Sequence, residues 1–170
     1  MYKKAAIVIT FFQVITIFLL SSCGSDTPDK SDVDLKEMQA TVDASSEIHW
    51  LRFDEGFRKA KEENRPMLVD FTASWCGWCK KMDAETFIMP SVIREINKSF
   101  IPVRVWGDSD DILSINEISV SEKQLTAQAG ISSFPSFVIM NSSLERIHFF
   151  KGYHDSRRFL AELKKGQENL

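Results

Sequence analysis

The sequence has few of the residues from which zinc sites are built. It contains three cysteines and three histidines in 170 residues. Of the three histidines, His49 stands alone, and His148 and His154 have H-x5-H spacing but are separated from Cys79 by 68 residues, far beyond the spacing of a zinc finger. Zinc needs four ligands, and the only cysteine besides Cys76 and Cys79 lies far upstream of them. These absences argue against a zinc site at the C-x-x-C pair and favour a redox function for it.

The sequence also lacks an excess of positive charge and an internal repeat. A formal net charge of −3 argues against a nucleic-acid-binding surface. The acidic stretch within 107–121 has neither the spacing nor the glycine of an EF-hand, so we predict a solvated loop there. With 44% hydrophobic and 26% charged residues, the composition is that of one globular domain with extensions.

The N-terminal apolar run is shorter than a membrane-spanning helix requires. It covers 5–20, follows two lysines and ends in Leu-Ser-Ser-Cys at 20–23, whereas a spanning helix needs about 18 or more residues. We therefore predict a signal peptide over 1–22. Its end resembles the bacterial lipobox, which implies that Cys23 carries a lipid anchor. An uncleaved membrane anchor is the alternative, and either would place most of the chain in the bacterial envelope.

The remainder of the chain divides into three parts by composition. Residues 23–46 are poor in large apolar side chains and rich in Ser, Asp, Thr and Lys, so they cannot bury enough surface to offset the entropy of ordering. We predict a flexible tether there, a folded domain over 47–166 and a short tail over 167–170.

Within the folded domain, hydrophobic spacing and helix-breaking residues predict alternating strands and helices. The predicted strands are 48–51, 67–73, 101–106, 137–140 and 146–150. The predicted helices begin near Phe53, Cys76, Ser91, Ser121 and Asp155, and the last ends at Gly166. This order predicts an α/β fold with a central mixed β-sheet flanked by helices on both faces.

The cysteine pair lies where the buried strand 67–73 meets a helix. Cys76 and Cys79 are three positions apart and can close a disulfide across one helical turn. A thiol at a helix N-terminus faces unpaired N–H groups and the positive end of the helix dipole, which favour its thiolate. We therefore predict that Cys76 is the nucleophile and that Cys79 is the less exposed, resolving thiol.

Asp70 is out of place in its strand. A carboxylate among continuous apolar residues is costly unless it has a partner or a function, and burial would raise its pKa. We expect Asp70 to be buried behind the cysteines. A position at a strand edge, with the side chain pointing outward, is the alternative.

These residues resemble the thioredoxin superfamily. The matching motifs are Val-Asp-Phe at 69–71, Ala73, and Trp-Cys-Gly-Trp-Cys-Lys at 75–80. Trp78 occupies the position of a proline in thioredoxin itself. The continuation from 80 to 92 is similar to the C-terminal domain of the membrane electron-transfer protein DsbD and to related thioredoxin-like envelope proteins. The resemblance implies a thioredoxin fold and thiol-disulfide oxidoreductase activity.

The resemblance also implies roles for charged residues around the cysteines. Asp70 matches the buried acid that accepts and returns the proton of the resolving thiol. Arg104 stands where thioredoxins often keep a lysine beside that acid. Asp83 matches an acidic position of DsbD-like domains, so it either tunes the cysteine pair or is simply a solvated carboxylate. Lys80 is expected to be exposed, with at most a mild electrostatic effect on the thiolates.

A partner-binding surface is implied as well. The family places a cis-proline facing the C-x-x-C, which here is Pro135, and the backbone of the preceding Phe134 would pair with an extended substrate. Together with Gly77 of the turn, Trp75, Trp78 and Phe134 would then form an apolar rim. Lone aromatic residues are more often part of a core, although Trp78 lies in the turn itself.

The resulting hypothesis is a lipid-tethered thioredoxin-like domain that exchanges disulfides with envelope proteins. It needs no metal or organic cofactor, because Cys76 and Cys79 carry the redox equivalents. The DsbD-like context favours a reductase fed by a membrane donor of the DsbD type, with an oxidase as the other direction. A binding or chaperone module with a purely structural disulfide is the hypothesis from another class.

Overall fold

The computed structural model describes residues 46–170. The signal peptide predicted over 1–22, the lipidation site Cys23 and almost all of the predicted tether lie outside the described residues. The helices are α1 (Phe53–Glu63), α2 (Gly77–Glu85), α3 (Pro90–Ser99), α4 (Glu122–Gln128) and α5 (Ser156–Glu168). The strands are β1 (Met67–Thr72), β2 (Ile101–Trp106), β3 (Ile112–Ile115), β4 (Ile118–Ser121), β5 (Ser136–Met140) and β6 (Arg146–Lys151).

Four strands form the central sheet in the order β2-β1-β5-β6. β1 is parallel to β2 and antiparallel to β5, and β6 is antiparallel to β5. The predicted mixed sheet is therefore confirmed. All six residues of β1 are buried, as their nearly continuous apolar sequence predicts for a central strand covered on both faces.

Alternation along β1 distributes side chains to two core layers, because successive residues of a strand point to opposite faces. Met67, Val69 and Phe71 pack in one layer with α1 and the β3-β4 hairpin. Leu68 packs in the other layer with α2, α3 and α5. Asp70 has the parity of Leu68, so it lies on the face of the sheet that α2 covers.

Helix α1 approaches β2 closely at a glycine. A Cβ atom added at Gly56 would overlap the side chain of Val103, so only glycine allows this contact. The helix ends at Asn64, which adopts a left-handed conformation with φ 48°. The guanidinium of Arg65 then donates to the carbonyls of Asn97 and Phe100 at the end of α3, which joins the two helix ends.

Three details differ from the sequence-based predictions. The strand predicted over 48–51 is a single bridge between Leu51 and Val103. The loop predicted over 107–121 contains the β3-β4 hairpin. Helix α5 continues past Gly166 to Glu168, because Gly166 packs closely against Ile139 and does not end the helix.

The β3-β4 hairpin was missed because the acidic residues that precede it suggested a solvated loop, although five of its eight strand residues are apolar. Leu113 and Val120 are nevertheless buried in the layer beneath α1. Asn116 and Glu117 both have positive φ angles, 48° and 70°, as a tight hairpin turn requires. Among the described residues, no helix combines the length and the hydropathy of a membrane-spanning segment.

Candidate active site

Cys76 and Cys79 form a disulfide at the start of α2, with their Cα atoms 5.3 Å apart. Cys76 is the N-cap of the helix, and its sulfur accepts a hydrogen bond from the backbone N–H of Cys79 at 3.1 Å. The helix N-terminus therefore directs an N–H group at the Cys76 sulfur. The same geometry would stabilise a thiolate once the disulfide is reduced.

Both cysteines are buried in the disulfide form. Cys76 is 4% and Cys79 is 5% exposed, so exposure does not distinguish the two sulfurs in this state. They pack against Ala73 and Phe134. A partner must therefore approach the sulfurs closely, within the surface that surrounds them.

Asp70 is buried in the sheet, so the alternative of an outward-facing edge position is wrong. Burial raises the pKa of its carboxyl from the ordinary value of 3.8 to about 6, although the Arg104 guanidinium acts in the opposite direction. Its Oδ2 atom accepts from Arg104 Nε at 2.9 Å and Nη2 at 2.8 Å. Its Oδ1 atom has no hydrogen-bond partner among residues 46–170, and one oxygen of a buried acid is thus left free.

Arg104 bridges two carboxylates that lie on different elements. Its Nη2 atom donates to Asp70 on β1 and, at 2.7 Å, to Oδ1 of Asp83 on α2. The guanidinium also lies over the ring of Trp50, 4.6 Å from the centroid, which shields its charge from water. The Asp83 side chain is 44% exposed. Asp83 is thus an ion-paired residue at the surface end of the bridge, and it is not simply solvated.

The aromatic residues of the motif lie at the surface. Trp75 is 70% and Trp78 is 58% exposed, so neither belongs to the core. The half-buried ring of Phe134 packs edge to face on Trp75, with centroids 5.7 Å apart. The structure thus brings Trp75 and Phe134 into contact, while Trp78 lies in the first turn of α2 and contacts a different aromatic residue.

The turn and the proline segment complete the surface around the cysteines. The Phe134-Pro135 peptide bond is cis, as the resemblance implied, and the Pro135 carbonyl accepts from the N–H of Gly152 at 2.8 Å. A Cβ atom at Gly77, the first residue of α2, would meet no atom within 4 Å, so the start of the helix is open there. Lys80 is exposed, as expected.

One group of residues near the cysteines was not predicted. Tyr153 contacts Trp78, with ring centroids 5.7 Å apart, and donates from its hydroxyl to Glu85 Oε2 at 2.7 Å. The ammonium of Lys81 lies over both rings. Tyr153 is distant from the motif in sequence, so no local pattern could have identified it.

Asp108 and Ser74 form another unpredicted contact. The Asp108 carboxylate accepts from both the backbone N–H and the hydroxyl of Ser74, and the side-chain hydrogen bond is the main cause that lowers the pKa of Asp108. This contact ties the segment before Trp75 to the end of β2. The sequence shows the acidic stretch from 107 onward, but it does not show that Ser74 is the partner of Asp108.

The histidines also have partners that the sequence did not reveal. His148 Nε2 lies 2.7 Å from Glu162 Oε2, and His154 Nδ1 lies 2.9 Å from the carbonyl of Gly152. The His148 contact joins β6 to α5 and plays no part in the arrangement around the cysteines.

Comparison with known proteins identifies the family. The chain matches the thioredoxin-like domain family over residues 53–167. Spermatogenesis-associated protein 20 of Rattus norvegicus is 26% identical over 129 residues, which are 74% of this chain and 16% of that protein. The thiol:disulfide interchange protein DsbD of Campylobacter jejuni is 26% identical over 120 residues, which are 69% of this chain and 21% of DsbD. The chain spans only about a fifth or less of the length of these two relatives.

A solved structure shows the same fold. The DsbH oxidoreductase has a TM-score of 0.61 at 16% identity, and the match covers 87% of this chain and 95% of that chain. At this identity the likeness is evidence for the fold alone. The family match, in contrast, covers the whole of the sheet and both cysteines. The chain therefore has the thioredoxin fold and belongs to the thioredoxin-like domain family.

Proposed function

We propose that this protein is a reductase of protein disulfides in the bacterial envelope. The observation that carries the proposal is the Cys76–Cys79 disulfide at the N-terminus of α2. A dithiol at this position can form a stabilised thiolate, and the exposed Trp75 and Trp78 beside it offer apolar contact area to a protein partner. The buried Asp70 lies on the face of β1 that α2 covers.

The proposed exchange has two steps. First, the Cys76 thiolate attacks one sulfur of the partner's disulfide, a new S–S bond forms, and the partner's other sulfur leaves as a thiolate. Cys79, after losing its proton, then attacks the Cys76 sulfur and releases the partner's first sulfur. Two electrons pass to the partner, which takes up two protons, and the protein is left with the Cys76–Cys79 disulfide.

Asp70 is the proposed acceptor of the Cys79 proton. Because burial holds its pKa at about 6, the carboxyl is mostly ionised at neutral pH and can accept a proton there. Its free Oδ1 atom leaves one oxygen for that proton while Arg104 holds the other. The proton then passes to the partner thiolate or to solvent.

The proposed direction requires an electron donor, since the disulfide form must be reduced again. We propose a membrane dithiol donor of the DsbD type, and the similarity to the DsbD of Campylobacter jejuni supports this choice. The exchange requires no metal or organic cofactor, because the electrons reside on the two sulfurs. An oxidase would instead pass electrons from its partner to a membrane acceptor.

The proposed location follows from the N-terminal sequence. A signal peptide over 1–22 and a lipid on Cys23 would anchor the domain to a bacterial membrane. We expect Cys23→Ala to lose lipid label and to leave the membrane fraction of the cells that express it. Lipid label retained on Cys23→Ala would contradict lipidation at Cys23.

The test of direction is the reduction potential of the Cys76–Cys79 pair. Full-length protein is equilibrated in dithiothreitol or glutathione buffers and followed by the fluorescence of Trp75 and Trp78, which flank the sulfurs. A potential near that of thioredoxin, about −270 mV, is expected for a reductase. A potential near about −120 mV would instead indicate an oxidant.

A second candidate function is a binding module that holds unfolded chains. The large exposed fractions of Trp75 and Trp78 favour it, because such rings bind apolar segments without any thiol chemistry. Rapid, selective alkylation of Cys76 after reduction would support the reductase. Two inert cysteines, with client binding retained after both are replaced by serine, would support the binding module.

A further inference from the structure

The aromatic contact between Trp78 and Tyr153 lies at the first turn of α2, where Trp78 is the residue before Cys79. Trp78 separates the two cysteines of the motif together with Gly77. Its ring is tilted by 44° against that of Tyr153, and Lys81 Nζ lies 5.5 Å from the Trp78 centroid and 4.9 Å from the Tyr153 centroid. Trp78 therefore has a fixed neighbour on one side and solvent on the other.

Tyr153 is itself held firmly in place. Its hydroxyl donates to Glu85, and this hydrogen bond is the main cause that raises the pKa of the phenol. Glu85 Oε2 also lies 3.9 Å from Lys81 Nζ. The ring of Tyr153 is therefore fixed by α2 through Glu85, and Lys81 from the same helix covers it.

The backbone around Tyr153 is anchored on both sides. Gly152, with φ +87°, donates its N–H to the Pro135 carbonyl at 2.8 Å. On the other side, the carbonyl of His154 accepts from the hydroxyl of Thr86 at 2.7 Å. The segment 152–154 thus connects the proline side of the site to the end of α2.

We propose that Tyr153 is a positioning residue that holds the Trp78 indole beside the disulfide, so that protein disulfides flanked by a large apolar side chain are preferred. This inference rests on the proposed function, exchange with protein disulfides. A ring already held in place loses little conformational entropy when a partner packs on it, and the apolar contact therefore contributes more to binding. The preference should appear as a lower KM and not as a higher kcat, because the indole contacts the flanking residue and not the reacting sulfurs.

The test compares two disulfide-bonded peptides of equal length and charge as substrates of the reduced full-length protein. One peptide has tryptophan next to each cysteine and the other has glycine. The small aliphatic disulfide bis(2-hydroxyethyl) disulfide, which has no aromatic group, reports the reactivity of the dithiol itself. For wild type we expect a lower KM for the tryptophan peptide and a similar kcat for both.

The variants separate ring contact from hydroxyl contact. Tyr153→Ala and Tyr153→Leu remove the aromatic contact and should raise the KM of the tryptophan peptide about threefold to tenfold, the range that an aromatic pair contributes. Tyr153→Phe keeps the ring and should retain most of the preference. Leucine fills most of the space that the Tyr153 side chain occupies, so Tyr153→Leu can replace Tyr153→Ala in the test if the alanine variant does not fold.

The matched control is Phe149→Ala. Phe149 is another exposed aromatic, 39% accessible, and a cation from Arg146 lies 5.6 Å from its ring centroid, but it lies on β6 and takes no part in the Trp78 contact. Its replacement should leave both KM values and the rate with the small disulfide unchanged. All variants should react with the small disulfide within about twofold of wild type.

Two results would overturn the inference: wild type with equal KM values for the two peptides, or Tyr153→Ala and Tyr153→Leu with the wild-type preference. Either could occur with the dithiol fully reactive, and the proposed function would then stand. If reduced wild type reacted with neither peptide nor the small disulfide, the proposed function itself would fail.

Discussion

Arg104 pairs with only one of the two carboxylate oxygens of Asp70. Its Nε and Nη2 atoms both donate to Oδ2, at 2.9 and 2.8 Å, while Oδ1 has no partner in the described part of the chain. A buried carboxylate paired in this way is only partly compensated for its loss of water. Its raised pKa, about 6, follows from that incomplete compensation and underlies the first three predictions.

The first prediction concerns stability against pH. The pKa of Asp70 is about 6 in the folded protein and 3.8 when unperturbed, so the folded state holds this proton more tightly than the unfolded state does. Its contribution to stability is therefore fully present below about pH 4 and is lost as the pH rises through about 6. The loss amounts to about 3 kcal/mol, from roughly two pKa units at 1.36 kcal/mol each.

The measurement is denaturant unfolding of the oxidised protein at several pH values between 4 and 8. The Asp70→Asn variant has no carboxyl to ionise at this position, so it should not lose this contribution as the pH rises. Its free energy of unfolding should therefore increase relative to that of wild type from pH 4 to pH 8. Asp110→Asn, at an exposed carboxylate, is the control and should follow wild type. Parallel stability curves for wild type and Asp70→Asn would contradict the raised pKa.

The second prediction concerns the resolving step. Asp70→Asn removes the proposed proton acceptor for Cys79, so release of the mixed disulfide should slow by about a hundredfold at neutral pH. The attack by Cys76 should change much less. Rapid acid quenching followed by mass spectrometry would show the mixed disulfide accumulating in Asp70→Asn but not in Asp110→Asn. Equal lifetimes of the mixed disulfide across pH 6 to 9 would exclude this role.

The third prediction concerns the bridge made by Arg104. Arg104→Gln leaves Asp70 buried without a cation, which should cost about 3–5 kcal/mol at neutral pH if the carboxyl stays ionised. Protonation of Asp70 relieves that cost, so its pKa should rise further and the pH profile of the exchange should move to higher pH. Arg104→Lys keeps the charge and should move the profile less. A profile unchanged in Arg104→Gln would show that the pair does not set the ionisation of Asp70.

The fourth prediction distinguishes the two cysteines. Cys79→Ser should accumulate stable mixed disulfides between Cys76 and partner proteins, because the resolving thiol is missing. Cys76→Ser should trap far less, since its remaining thiol lies inside the helix and lacks the N-cap position of Cys76. Non-reducing gel electrophoresis of each variant after expression in the bacterial envelope measures the amount of mixed disulfide directly. Equal trapping by both variants would contradict the assigned roles.

The fifth prediction tests the packing of α1 on β2. Gly56→Ala places a methyl group against the Val103 side chain and should destabilise the protein by about 1–3 kcal/mol through overpacking. Gly77→Ala has open space around the new methyl group and should stay within about 1 kcal/mol of wild type. Denaturant unfolding of both oxidised variants makes the comparison. A Gly56→Ala variant as stable as wild type would show that α1 can shift away from β2.

Local sequence determined the elements that build the site. The nearly continuous apolar sequence of 67–73 predicts a strand that is covered on both faces. The three-residue spacing of Cys76 and Cys79 corresponds to one helical turn. Pro90 begins a new helix because it has no N–H to donate. The cis bond at Pro135 could not be predicted from local sequence, because X-Pro bonds are usually trans. Only the resemblance to a family predicted it.

Tertiary structure decided the relations between residues that are distant in the chain. Strand pairing places Arg104 opposite Asp70, and only then can one guanidinium reach Asp83 on α2 as well. Tyr153 contacts Trp78 because the segment after β6 is held against the end of α2. The β3-β4 hairpin is stabilised by burying Leu113 and Val120 beneath α1. The contacts of Arg104 and Tyr153 join residues that are far apart in the chain, so no local sequence pattern distinguishes the residues that form them.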